Sequence, residues 1–179
     1  NSKKDICSVV VDGFGDRNTT SISSVNNPFE IKELWDTKYP FSLGLYYSTI
    51  TDFLGFQVNE GEYKVMGLSS FGREQSDLAK KTSNLIRFDK DKKNIIQEMS
   101  FFKYHISPTD SFSNELIELL GEPRNPFKKL LPNDKDFQKY ADIAKGAQMA
   151  TEKILCDIFS YAHELTGCNE FLFSGGVAL

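Results

Sequence analysis

Cysteine and histidine are both scarce in this 179-residue chain, and the scarcity sets the first limits on what it can be. The three cysteines, Cys7, Cys156 and Cys168, are odd in number and far apart, with no Cys-x-x-Cys or Cys/His spacing. That pattern argues against a zinc finger or a disulfide scaffold. Thiols scattered through strand-like and helix-like runs behave as small apolar groups and fit a reducing compartment. The two histidines, His105 and His163, lie in unrelated segments and read as structural or exposed. No run is long and apolar enough to span a bilayer, and the polar start Asn1-Ser2-Lys3-Lys4 is unlike a signal peptide, so a cytoplasmic location without a membrane partner is expected. Neither charge dominates: 21 basic against 25 acidic side chains give a net charge of −4, which argues against a general nucleic-acid binder. The basic pairs Lys80-Lys81, Lys92-Lys93 and Lys128-Lys129 read as solvated faces. Tryptophan occurs once, but 15 Phe and 7 Tyr predict a core rich in aromatic packing.

What the chain does have is a glycine turn near each end. Val9-Val10-Val11-Asp12-Gly13-Phe14-Gly15-Asp16 opens it and Phe171-Leu172-Phe173-Ser174-Gly175-Gly176-Val177 closes it. A buried strand ending at glycines lets backbone N–H groups approach a phosphate, because no Cβ intervenes. Two such ends in one α/β domain point to a clamp for a nucleotide.

Between them the period of the apolar residues predicts the elements. Ile6 to Val11 reads as a strand covered on both faces, Arg17 to Val25 as a second strand, and Phe29 to Trp35 as a third, after the turn signal Asn26-Asn27-Pro28. Leu43, Tyr46, Tyr47, Ile50 and Leu54 recur at helical spacing, with Ser42 as N-cap and Gly55 as the stop. Asn59 to Leu68 lies in an irregular middle, followed by a short helix at Asp77–Lys81. An exposed hairpin is expected from Leu85–Phe88 and Asn94–Gln97, then a helix at Ser113–Leu120 and a proline-containing loop to Pro132. The clearest helix runs from Asp136 to Leu165, and Phe171–Phe173 is a buried strand behind it. Three strands, helix, insertion, long helix, strand is the order of an α/β, ribonuclease-H-like lobe: a meander joined by a parallel strand that the long helix delivers. Such a lobe ordinarily continues, so residues 1–179 read as a single partial domain.

Five motifs then occur in a telling order: Val11-Asp12-Gly13-Phe14-Gly15-Asp16, Ser42-Leu43-Gly44-Leu45-Tyr46-Tyr47, Gly61-Glu62-Tyr63-Lys64-Val65-Met66-Gly67-Leu68, Asp142-Ile143-Ala144 with Gln148, and Ser174-Gly175-Gly176-Val177-Ala178-Leu179. Together they resemble the O-carbamoyltransferases of nodulation-factor, cephamycin and tobramycin type, within the acetate/sugar kinase–Hsc70–actin superfamily. The resemblance implies the second lobe of a transferase domain, with an N-terminal lobe, its His-rich metal motif and a C-terminal adenylate-forming domain outside this chain. It implies ATP and carbamoyl-adenylate as cofactors, a divalent metal (iron or magnesium), carbamoyl phosphate as donor, and a sugar or natural-product hydroxyl as acceptor. It further implies that the chain by itself is inactive.

By the same resemblance Asp12 is a metal ligand, although a turn aspartate bonding the bend is the competing reading of the residue alone. Asp16 reads as a solvated carboxylate. Gly13, Gly15, Gly61, Gly175, Gly176 and Val177 are candidate nucleotide contacts, while Gly13 and Gly15 alone would also suit any hairpin. Glu62 and Lys64 are candidate catalytic residues, Lys64 as a positive charge for an acyl-phosphate leaving group, against the alternative of a solvated turn. Thr19 and Thr20 read as serving the strand. Two other functions stay open: a sugar or small-molecule kinase of the same superfamily, and a non-catalytic nucleotide-binding module.

Overall fold

Ile6–Val11 forms a strand, β1, whose residues alternate between buried and half-buried. Cys7, Val9 and Val11 are fully buried while Ser8 and Val10 are half-buried, so one face of the strand is sealed more completely than the other. The computed structural model describes residues 6–27 and 30–178. β1 pairs antiparallel with β2 (Asn18–Asn27), which pairs antiparallel with β3 (Glu30–Lys38). The expected meander is therefore present, with the third strand running past Trp35 to Lys38; Pro28 and Phe29 lie outside the described residues. On its other side β1 pairs parallel with β6 (Phe171–Ser174), giving the order β3-β2-β1-β6. The protein is α/β, built on this mixed four-stranded sheet.

The described residues fall into two compact units. The first holds the described residues up to Gly44, then Phe88–Ile96, then those from Ile154 onward. Its sheet packs against the C-terminal part of the long helix α5 (Phe137–Thr166), where Phe159 meets Phe171 and Phe173 edge-on, with ring centroids 5.4 and 5.3 Å away. Trp35, Phe88 and Tyr161 form a second aromatic cluster, and the Trp35 indole donates to the Lys93 carbonyl at 2.6 Å. Lys93 is more than a solvated charge: it lies 4.8 Å from the Tyr161 ring and pairs with Glu164.

β6 was expected to be buried, but Leu172 and Phe173 are 54 and 38 % exposed. β6 stands at one end of the sheet's strand order, so among the described residues it pairs on one side only. The hairpin of β4 (Ile86–Asp89) and β5 (Asn94–Gln97) corrects the opposite expectation: Ile86, Phe88, Ile95 and Gln97 are buried, because the alternation gives it one apolar face. Cys156 is exposed rather than packed.

The second unit holds 45–87 and 97–153. Helix α1 (Leu43–Phe53) ends at Leu54 and Gly55, the latter at φ +63°, as expected of a glycine stop. The segment assigned to an irregular middle is helical instead: α2 spans Glu62–Ser69, with Val65, Leu68 and Ser69 buried. The Ser76 and Ser113 hydroxyls accept from the N–H groups of Ala79 and Leu116, starting α3 (Asp77–Ser83) and α4 (Asn114–Leu120). Across the unit Tyr46 donates to the Thr82 carbonyl at 2.9 Å, and Tyr47 to Gln148 at 3.0 Å. The Asp142 carboxylate accepts from the Arg73 N–H at 2.8 Å, from its guanidinium at 2.6 Å and from Gln138 at 2.8 Å.

Candidate functional site: two glycine turns at parallel strand ends

β1 and β6 are parallel and in register from Cys7↔Phe171 to Val10↔Ser174, so both strands deliver their C-terminal turns to the same sheet end. In open α/β sheets this is where ligands bind, because helix and loop starts converge there. Gly175 follows β6 at φ +101°, a conformation that disfavours any side chain, and a Cβ there would collide with the Val11 carbonyl. Beside it, a Cβ on Gly176 would stand 3.2 Å from Asp12 Oδ1. Gly176–Ala178 form a 3-10 turn closed by the Ala178 N–H bonding the Gly175 carbonyl at 2.9 Å. The carboxylate of the first turn and the glycine pair of the second are thus neighbours.

The first turn is held from three directions. Asp12 N–H donates to the Thr19 carbonyl at 2.8 Å, closing the bend at its base, and Gly15 turns it at φ +59°. Asp12 Oδ1 accepts from the Gly13 N–H at 2.7 Å, the local turn bond expected of an aspartate there. Ser42 donates its hydroxyl to the Asp12 and Gly13 carbonyls, at 3.2 and 2.6 Å. Gly44 lies so near that a Cβ would sit 2.6 Å from the Gly13 Cα. Sequence reasoning named Ser42 as a helix cap and Gly44 only as part of a motif; their role in buttressing the Asp12 turn was missed, since nothing local in the sequence signals it. Thr19 serves the fold, donating to the Thr37 and Phe41 carbonyls. Thr20, opposite Val11 on β2, is buried with no hydrogen-bond partner for its hydroxyl among the described residues.

Asp12, Gly13, Gly15, Gly175, Gly176 and Val177 therefore belong to one unit, and the sheet draws the two turns together. Gly61, Glu62 and Lys64 belong to the other. There Glu62 accepts from the Ser48 hydroxyl at 3.0 Å, the Asn59 N–H at 3.0 Å and the Gly61 N–H at 3.1 Å, bracing the start of α2. Lys64 points its ammonium over the Tyr63 and Phe56 rings, 5.6 and 5.9 Å from their centroids. His163 bonds the Cys168 carbonyl at 2.8 Å through Nδ1, and His105 stacks edge-on to Tyr104, structural positions for both.

A metal was expected at Asp12. Among the described residues no group of three or more His, Cys, Asp or Glu side chains could hold an ion. Asp12 offers one carboxylate with one oxygen already engaged by Gly13, so these residues alone do not fit a complete metal site. Nor, among the described residues, is any helix long and apolar enough to cross a membrane.

The family model for the carbamoyltransferase N-terminus matches residues 2–179. The chain belongs to that family. It is 34 % identical over 170 residues to an uncharacterized protein of Synechocystis sp., covering 94 % of this chain and 26 % of that protein. It is 28 % identical over 178 residues to an uncharacterized protein of Methanocaldococcus jannaschii, covering 98 % of this chain and 30 % of that one. The chain thus spans less than a third of the length of either relative.

Proposed function

We propose that this chain is the second ribonuclease-H-like lobe of an O-carbamoyltransferase, and that its paired turns grip the phosphates and adenosine of a carbamoyl-adenylate. The observation that carries the reading is the meeting of Asp12 with Gly175 and Gly176 at the ends of parallel strands, in a chain of the carbamoyltransferase N-terminus family. With no Cβ at Gly15, Gly175 or Gly176, phosphate oxygens can approach the backbone of both turns closely, although the Gly13 N–H is engaged by Asp12 Oδ1. In the reaction, the acceptor hydroxyl oxygen bonds the carbamoyl carbon, the bond from that carbon to the AMP oxygen breaks, AMP leaves, and the hydroxyl proton is released. Holding the adenylate and orienting the hydroxyl supply rate by positioning.

Gly13, Gly15 and Gly61 join the nucleotide contacts in this reading, with Gly175, Gly176 and Val177 on the adenosine side. Lys64, whose ammonium lies over the Phe56 and Tyr63 rings, offers its charge to a phosphate leaving group, and Glu62 sets the helix that carries it. Asp12 contributes one ligand to a divalent ion completed from other parts of the parent protein, and no step is routed through it. ATP, carbamoyl phosphate and a hydroxyl acceptor are the small-molecule partners, and the remaining lobes of a longer cytoplasmic protein are the macromolecular ones.

The test is product analysis with the full-length protein, supplying ATP, labelled carbamoyl phosphate and a panel of sugars. A carbamoylated acceptor is expected, with none formed by the 179-residue chain alone. A phosphorylated acceptor would make the protein a kinase, and ATP binding without turnover would make it a non-catalytic module; either overturns the reading.

A further inference from the structure

The loop after α4 carries a buried arginine. Arg124 is fixed by its Nε and both Nη atoms, which donate to the carbonyls of Leu54, Gly55, Asn125 and Lys128. All four acceptors are neutral. The guanidinium also stacks on Phe56, 4.7 Å from the ring centroid. A buried cation held only by carbonyl dipoles keeps most of its charge uncompensated, because dipoles orient it without neutralising it. Burial accordingly pulls its proton affinity down from the ordinary arginine value.

That charge faces a cleft of about 700 Å³ within the second unit. Lys64, Lys128 and Lys129 line it as well, and no carboxylate does. The rest of its lining is largely apolar, with Phe56 beside the arginine and Phe71 and Phe137 packed edge-on, 5.6 Å between centroids. Phe127, 96 % exposed, stands at its rim. An exposed phenylalanine beside two exposed lysines leaves apolar surface and positive charge together in water, a combination that a bound partner relieves. The volume lies in the range of pockets for small organic ligands.

We infer that this cleft binds a small organic anion: a ligand with one phosphate or carboxylate group seated among Arg124, Lys64, Lys128 and Lys129, and a flat apolar body lying on the phenylalanines. The lysine pair read from sequence as a solvated face is, in this assignment, the outer half of an anion seat. A smaller neighbouring recess of about 440 Å³ shares Phe56 and Arg124 but includes Asp52, whose carboxylate accepts from Ser111, so the anion belongs to the larger cleft. The inference rests on the second unit and shares Lys64 with the proposed transfer reaction, so its test turns on Lys128, Lys129 and Phe127, which that reading does not use.

Calorimetric titration of the full-length protein tests it, with naphthyl phosphate, naphthoate, naphthol and inorganic phosphate as probes. No adenine nucleotide is among them, so failure here and failure of the transferase reading are told apart. Naphthyl phosphate or naphthoate is expected to bind at least about tenfold more tightly than naphthol, the worth of one charge-assisted hydrogen bond, and at least about tenfold more tightly than inorganic phosphate, the worth of burying part of the naphthyl ring. The tighter of the two identifies the anionic group. The double substitution Lys128→Ala, Lys129→Ala removes exposed charges whose amines make no hydrogen bond among the described residues, so the fold survives; it should weaken the tighter probe about tenfold at unchanged melting temperature. Phe127→Ala should weaken the naphthyl probes and leave inorganic phosphate unaffected. Naphthol binding as tightly as both anions, a double variant that binds like the parent chain, or no binding of either naphthyl anion would each overturn the assignment.

Discussion

Asp12 and Gly176 lie so close that a methyl group on the glycine would stand 3.2 Å from the carboxylate oxygen Oδ1. Gly175, one residue earlier, faces the Val11 backbone at φ +101°. The two glycines therefore predict different results. Gly175→Ala meets both a forbidden backbone conformation and a carbonyl that cannot move, and should cost at least about 1–3 kcal/mol of stability. Gly176→Ala meets only a carboxylate that can rotate, and should cost under about 0.5 kcal/mol while weakening ATP binding by the full-length protein. Chemical denaturation and nucleotide titration of both variants check this.

Glu62 and Lys64 separate in the same way. Glu62→Ala strips three hydrogen bonds from the start of α2 and should destabilise the chain by about 1–3 kcal/mol. Lys64→Ala removes no hydrogen bond seen here, and should leave stability within about 0.5 kcal/mol of the parent while lowering carbamoyl transfer by the full-length protein. Equal transfer rates for Lys64→Ala and the parent would remove Lys64 from the reaction.

Gly67 sits inside α2 with nothing within 4 Å of where its Cβ would be. Glycine in a helix interior costs roughly 0.5–1 kcal/mol relative to alanine. Gly67→Ala should therefore raise the stability of the chain by about that amount, read as a shift of the denaturation midpoint. The same substitution lowering activity in the full-length protein would show that α2 meets another surface there.

Asp142 gives the pH dependence. Burial pushes its carboxyl up, but the bonds from the Arg73 side chain and N–H and from Gln138 outweigh this and hold it below the ordinary aspartate value. A carboxyl depressed by folding stabilises the protein above its unfolded value, near about pH 4, and that contribution is lost as pH falls through the folded value. Asp142→Asn should therefore be less stable by about 2–4 kcal/mol at neutral pH, and the gap should close below about pH 4. A gap that stays constant down to the acid limit would show that the carboxylate charge contributes nothing.

Most elements were legible because their signals are local. Ser76 and Ser113 cap their helices through a bond reaching only three residues ahead, and the apolar stripe of α5 is carried by neighbours on one turn after another. α2 was misread because its apolar residues, Val65 and Leu68, are too few in an eight-residue helix to mark a period, while Gly61 and Gly67 look like loop signals. The burial of the hairpin and the exposure of β6 were misjudged for a shared reason: burial belongs to what packs against a strand, which its own residues do not state.

The amino-acid order by itself determined the α/β alternation, the glycine turns, the absence of a membrane-spanning run and the motifs that carry the family. Tertiary structure alone decided that Asp12 meets Gly176, that Ser42 and Gly44 buttress the first turn, and that Arg124 is buried among carbonyls beside a cleft of cations and phenylalanines. Each of these joins residues far apart in the chain. Such contacts depend on which strands become parallel neighbours and which loop folds over which helix, and the free energy of those choices is spread over the packed core rather than written in any short stretch.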